Sequence, residues 1–187
     1  MDLHRIKNLL QKEHTLPADK WKGAVVFLCT EEKVIFIKRS EFMPTHSGQV
    51  AFIGGHKLPH EHDPWIAAQR EFSEETNLES TLVEFMGYLP VIMTSRLQAI
   101  VPVMARLTVP VEDFLQRVKS NGEWDAIIAY DWDELCREKD WQYAWRNGYT
   151  RSPMLFKTLR PSSHLLWGAT AAIVWDLLRR YFSEEKE

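Results

Sequence analysis

An arginine and three glutamates, Arg70, Glu71, Glu74 and Glu75, stand within six residues of one another. On a helix turning about 100° per residue, the three carboxylates share one arc of the surface. Like charges so placed repel one another, and a divalent cation is the usual way to offset the cost. Donors that are all oxygen suit Mg²⁺ or Mn²⁺ better than zinc or copper. Glu71 and Glu75, at i and i+4, read as the principal metal ligands, with Glu74 a third or water-bridged one. Gly54 and Gly55 precede the segment, and the Gly55 carbonyl can complete the shell because glycine lets backbone approach an ion closely. Arg70 points off the other side of the helix start and reads as a pin for a carboxylate or a backbone carbonyl, holding the loop. Taken alone, such a Glu pattern is more often a solvated face.

The segment Gly54 to Leu78, GGHKLPHEHDPWIAAQREFSEETNL, resembles a Nudix box, G-x5-E-x7-R-E-U-x-E-E-x-G-U with U aliphatic or aromatic. Its second half matches in register. Gly55 to Arg70 is one residue longer than the general pattern. Counting back from Arg70, the box Glu falls on His62, flanked by Glu61 and Asp63. Asn77 replaces the last Gly, and Asn is the next-best residue for a left-handed helix end. Upstream, Arg39-Ser40 and Ser47 to Phe52 followed by Gly54-Gly55 resemble the coenzyme A pyrophosphatase branch of Nudix hydrolases, which shares the longer box. Pro44 stands where that branch has an Arg, and Ile53 where it has a Pro. Leu166 to Ala172 resembles the branch as well. The resemblance implies an α/β fold, an α/β/α sandwich with a mixed central sheet. It also implies hydrolysis of a diphosphate bond in a nucleoside diphosphate derivative with Mg²⁺ or Mn²⁺. Coenzyme A or an acyl-CoA is the leading substrate, and NADH, ADP-ribose or a nucleotide sugar the alternative. A Nudix fold used only for binding is the reading from another class. Glu123, in Asn121-Gly122-Glu123-Trp124, resembles the family's late-loop carboxylate and is the expected general base or distal metal ligand, with Glu61 as the alternative. Arg39 and Arg96 are the expected phosphate or substrate contacts.

Several elements must position these groups. Asp63 is a good N-cap and Pro64 a good first-turn residue, so the acidic helix is predicted to run from there to about Thr76. Gly23 to Thr30 and Lys33 to Lys38 read as a strand hairpin. Gln49 to Phe52 is a short apolar run feeding the Gly-Gly turn. Thr81 to Leu89, Gln98 to Leu107 and Ala126 to Tyr130 read as further strands, and Trp132 to Arg137 as a short helix. Helical spacing of apolar residues predicts helices over residues 2–13 and 165–182. The irregular interleaving suggests a mixed sheet between helices.

Length and charge bound the rest. The chain has 187 residues, which favours one domain spanning 1–187. A net charge of −3 gives no electrostatic reason to expect nucleic acid. No apolar run is long enough to span a bilayer, and the first residues lack the apolar core of a signal peptide. Two cysteines, Cys29 and Cys136, fit a reducing, cytoplasmic setting better than a disulfide scaffold, and Cys29 reads as core. His56, His60 and His62 lack the spacing of a common zinc motif and read as a solvated loop. His46 reads as a turn hydrogen bond at least as readily as a catalytic group. Trp141, Tyr143 and Trp145 near Arg146 and Arg151 suit core or homodimer packing more commonly than stacking on a base.

Overall fold

Alternation of apolar side chains along the strands feeds two separate cores, one on each face of a central sheet. A computed structural model describes residues 1–14, 16–94, 97–144, 154–159 and 164–183. In chain order these form α1 (Leu3–Leu9), β1 (Gly23–Cys29), β2 (Lys33–Arg39), β3 (Val50–Ala51), β4 (Ile53–His56), α2 (Pro64–Thr76), β5 (Val83–Tyr88), β6 (Ile92–Met93) and β7 (Ala99–Leu107). After them come α3 (Val111–Arg117), β8 (Trp124–Asp131), α4 (Trp132–Leu135), β9 (Trp141–Ala144), β10 (Met154–Leu159), β11 (His164–Trp167) and α5 (Gly168–Ser183).

β1 runs parallel to β7 and antiparallel to β2 and β4. The sheet is therefore mixed, and β5 and β8 extend it through β7 and β2. On one face Ala24, Val26 and Leu28 of β1 meet Ala67, Ala68 and Phe72 of α2 and Phe114 of α3. On the other, Phe27 and Cys29 meet Ile6 of α1, Trp132 of α4 and Val174 and Leu177 of α5. The period of two along β1 thus decides which helix each residue touches. The result is the expected α/β/α sandwich. A second sheet, β11-β10-β9, lies beside it among the described residues.

β1 divides one of its edges between two partners. Gly23 to Val26 pair with β4, and Leu28 and Cys29 pair with β2. β3 pairs with the far end of β2, at Ile37 and Lys38. The run Val50 to His56 therefore crosses from β2 to β1 at Phe52, which delivers Gly54 and Gly55 beside α2.

Three expectations are corrected by tertiary pairing. The first helix ends at Leu9 and not near residue 13, because Gln11 exchanges backbone hydrogen bonds with Tyr88 of β5 (3.0 and 2.8 Å). Leu165 to Trp167 are strand, paired with β10, so α5 starts at Gly168. β8 begins two residues earlier than expected, at Trp124, where the register with β2 shifts between Lys38 and Arg39.

Candidate active site

α2 is held at both ends by the residues its sequence offers for that purpose. Asp63 accepts from the Trp65 amide at 2.8 Å, Pro64 occupies the first turn, and Asn77 closes the helix in the left-handed conformation at φ 55°. Tyr88 donates its hydroxyl to Asp63 at 2.7 Å, tying the helix start to β5. With Ala67, Ala68 and Phe72 fixed in the core, the carboxylates turn towards β4 and solvent. Their exposures are graded: the side chain of Glu71 is 12% exposed and that of Glu74 54%, while residue Glu75 is 1% exposed.

Glu75 is the deepest of the three. One carboxylate oxygen accepts from the Gly54 amide at 2.9 Å. The other, Oε2, is buried with no hydrogen-bond partner among the described residues. Burial pushes its carboxyl up from 4.5 to about 8, opposed by the Gly54 amide; Glu123 and Glu71 push it further and Arg39 pulls it down. Glu71 is raised as well, first by burial, against the pull of Arg70 and with added repulsion from Glu74 and Glu123. Each of these carboxylates thus disfavours charge on the others, the situation a bound cation relieves. Gly55 sits with its α-carbon against Glu71: a methyl there would lie 2.5 Å from Oε1. Its carbonyl oxygen packs against Gly23 of β1.

Arg70 gathers the surrounding groups. Its Nε donates to Glu61 Oε1, and Nη1 donates to both Glu71 Oε1 and Glu74 Oε2, each at 2.8 Å. Nη2 reaches the His56 carbonyl at 2.9 Å and Glu61 Oε2 at 3.3 Å. Glu61 itself is 3% exposed and accepts the Leu58 amide at 2.6 Å. Burial works against its charge, yet Arg70 and that amide hold its carboxyl below the ordinary value. Both its oxygens are therefore engaged in building the loop. Counting back from Arg70 places the box glutamate on His62, but counting forward from Gly55 places it on Glu61. The extra residue lies after Glu61, and His62 is exposed. His56 and His60 are exposed too.

Arg39, at the end of β2, comes close enough to Glu75 to act on its carboxyl. Its Nε is buried with no hydrogen-bond partner among the described residues. Glu123 follows the turn before β8. Its backbone carbonyl accepts from Ser40 at 2.8 Å, and Asn121 donates to its carboxylate at 3.2 Å. Sequence reasoning missed Ser40 as a support because a backbone contact between separate loops leaves no periodic signal, and Asn121 because its side-chain bond to Glu123, two residues on, depends on the turn's conformation. His46 lies with its ring nitrogen 3.1 Å from Gln49 Oε1, a turn contact away from the carboxylates. Arg96, Trp145, Arg146 and Arg151 lie outside the described residues.

The donor set is oxygen only, with one buried oxygen unclaimed, and it fits Mg²⁺ or Mn²⁺. Among the described residues no three His, Cys, Asp or Glu side chains already converge as a formed metal centre. Arg70 draws Glu71 and Glu74 towards itself, so a cation would be held by Glu71 and Glu75 after Glu71 turns from the guanidinium.

Comparison with known proteins bears on this geometry. A family model described as the NUDIX domain matches residues 19–148. The chain is 26% identical over 162 residues to Nudix hydrolase 22, chloroplastic, of Arabidopsis thaliana, covering 82% of this chain and 53% of the relative. It is 27% identical over 168 residues to Nudix hydrolase 15, mitochondrial, of the same plant, covering 83% and 57%. The chain thus spans little more than half the length of these curated relatives. Among solved structures it is similar in fold to the Nudix hydrolase RenU of M. smegmatis, at TM-score 0.56 and 15% identity, covering 88% of this chain and 87% of that one. Likewise it is similar to a MutT protein of Methanosarcina mazei Go1, at TM-score 0.51 and 15% identity over 88% and 94%.

Proposed function

Because this chain belongs to the Nudix family, we propose that it is a divalent-metal-dependent pyrophosphohydrolase acting on a nucleoside diphosphate derivative, with coenzyme A or an acyl-CoA as its substrate. The products would be phosphopantetheine, or its acyl form, and adenosine 3′,5′-bisphosphate. The observation that carries the reading is Glu75: a buried carboxylate with an unclaimed oxygen, set against Glu71 and Glu123. The run Ser47 to Phe52 with Gly54-Gly55 supports coenzyme A over NADH or ADP-ribose.

Glu71 and Glu75 would hold Mg²⁺ or Mn²⁺, with Glu74 and the Gly55 backbone at the margin. The ion supplies neutralisation of phosphate charge and a more acidic water. Glu123 takes the proton of the attacking water; its carboxylate is steadied by Asn121 and its backbone by Ser40. Arg39 meets a phosphate oxygen through the guanidinium whose Nε has no partner. Arg96 is a second proposed substrate contact. Arg70 holds Glu61, His56 and the helix start together, so the loop keeps its place when Glu71 turns to the ion. We propose a reducing compartment such as the cytoplasm, on the ground that two cysteines are too few for a disulfide scaffold. Among the described residues no helix is long and apolar enough to cross a membrane.

Incubation with Mg²⁺ or Mn²⁺ and coenzyme A, acetyl-CoA, NADH, ADP-ribose, a nucleotide sugar or a nucleoside triphosphate, with products resolved by mass, tests this reading. Cleavage of coenzyme A that is abolished by Glu75→Gln is expected. Cleavage of a different compound alone refutes the substrate assignment, and no metal-dependent cleavage of any of them refutes the activity.

A further inference from the structure

We infer that Asn77 is a positioning residue for Glu123, an inference that rests on the proposed role of Glu123 as base. Asn77 ends α2 in the left-handed region at φ 55°, where glycine fits at least as well. Backbone conformation alone therefore gives no reason to prefer Asn. Its side chain does something glycine cannot: Nδ2 donates to the Lys119 carbonyl at 2.9 Å. Next to it the Lys119 amide donates to the Thr76 carbonyl at 3.0 Å. Five residues on, the buried Trp124 indole donates to the Glu75 carbonyl at 2.7 Å.

These three bonds fasten both ends of the segment 119–124 to the last turn of the acidic helix. Glu123 sits between the two anchors. Within the segment, Ser120 Oγ donates to the Trp124 carbonyl at 2.6 Å and accepts from the Gly122 amide at 3.0 Å. Asn121 Oδ1 accepts from the Glu123 amide at 3.0 Å. The turn is thus braced internally, and its distance from Glu71 and Glu75 is set by these anchors together with the Ser40 amide on the Glu123 carbonyl. Trp124 also fills core, so its loss would disturb packing. Asn77 is exposed, and its amide is the anchor that can be removed without opening a cavity.

The test compares Asn77→Gly and Asn77→Asp with the parent, alone and in a Glu123→Gln background. Coenzyme A and ADP-ribose serve as substrates with Mn²⁺, and amide hydrogen exchange is followed over 70–76 and 119–123. Both variants keep the left-handed helix end, and both lose the donor to Lys119. Expected are a kcat lowered roughly 3- to 10-fold, the scale of one lost hydrogen bond, with KM near the parent value. Exchange should speed up over 119–123 and stay unchanged over 70–76. In the Glu123→Gln background the Asn77 changes should have no further effect, because there is no base left to misplace. Parent-like kcat with an impaired Glu123→Gln overturns the positioning role and leaves the base in place. An equal further loss in the Glu123→Gln background, or unchanged exchange over 119–123, also overturns it. A fully active Glu123→Gln removes the reading of Glu123, and this inference with it.

Discussion

Glu75→Gln should make the metal-free protein more stable at neutral pH while abolishing its proposed activity. The wild-type carboxyl titrates at about 8 in the folded chain against an ordinary 4.5. The folded chain therefore binds this proton more tightly than the unfolded chain does, so stability declines as pH rises through the interval. Each pH unit amounts to about 1.4 kcal/mol. The cost is nil below pH about 4.5, reaches roughly 4 kcal/mol at pH 7.5 and levels off near 5 above pH 8. Glutamine has no charge to lose. Its Oε1 keeps the Gly54 amide, but its own amide is left without a partner at a cost of about 1–3 kcal/mol. The balance is a gain of roughly 1–3 kcal/mol at pH 7.5, or about 2–12 °C in Tm for a chain of this length. At pH 5, where the charge cost has fallen to about 1 kcal/mol, the sign reverses and the variant should be less stable by up to about 2 kcal/mol. Urea denaturation from pH 5 to 8.5 in the presence of a chelator measures both, with Mg²⁺-dependent cleavage assayed in parallel. If the two proteins show the same pH slope, or if the variant is weaker at pH 7.5, Glu75 is not the group whose proton the fold holds more tightly than the unfolded chain does.

Gly55→Ala should weaken Mn²⁺ binding, followed by electron paramagnetic resonance, because its methyl would sit 2.5 Å from Glu71 Oε1 and the carboxylate must swing aside. Arg70→Ala should cost roughly 3–5 kcal/mol in urea denaturation, since it strands the buried Glu61 carboxylate. Arg70→Lys should recover only part of that, lacking the planar fork that reaches Glu61, Glu71 and Glu74 together. Arg39→Ala should raise KM at least tenfold and leave kcat within a few-fold of the parent if it grips substrate and transition state alike, read from initial rates over a range of substrate concentrations.

The acidic helix was legible almost residue by residue. Asp63, Pro64 and Asn77 act through local rules that need no tertiary partner, and the structure places the helix at Pro64–Thr76. The β1–β2 hairpin was legible for the same reason. What sequence left open depends on long-range pairing. Gln11 leaves the helical pattern because Tyr88 offers it backbone partners, and nothing near residue 11 records that. α3 has only two turns, too short for its periodicity to stand out. At the site, counting along a box of fixed length points to His62, whereas Glu61 is the carboxylate that Arg70 holds. An extra residue shifts the count but not the chemistry, and only the folded loop shows where it is absorbed. The roles of the carboxylates were read from type and spacing. That Glu75 is buried and Glu74 is not follows from β4 lying against one side of the helix, which a helical projection alone does not contain.

The shared edge of β1 has a mechanical consequence. Arg39 and the turn after it hang from β2, whereas Gly54, Gly55 and the acidic helix hang from β4, and the two branches part at Phe27 of β1. A change on the β2 branch shifts Arg39 and, through the Ser40 amide bonded to the Glu123 carbonyl, the loop that carries Glu123, while Gly54, Gly55 and the acidic helix keep their own attachment to β1.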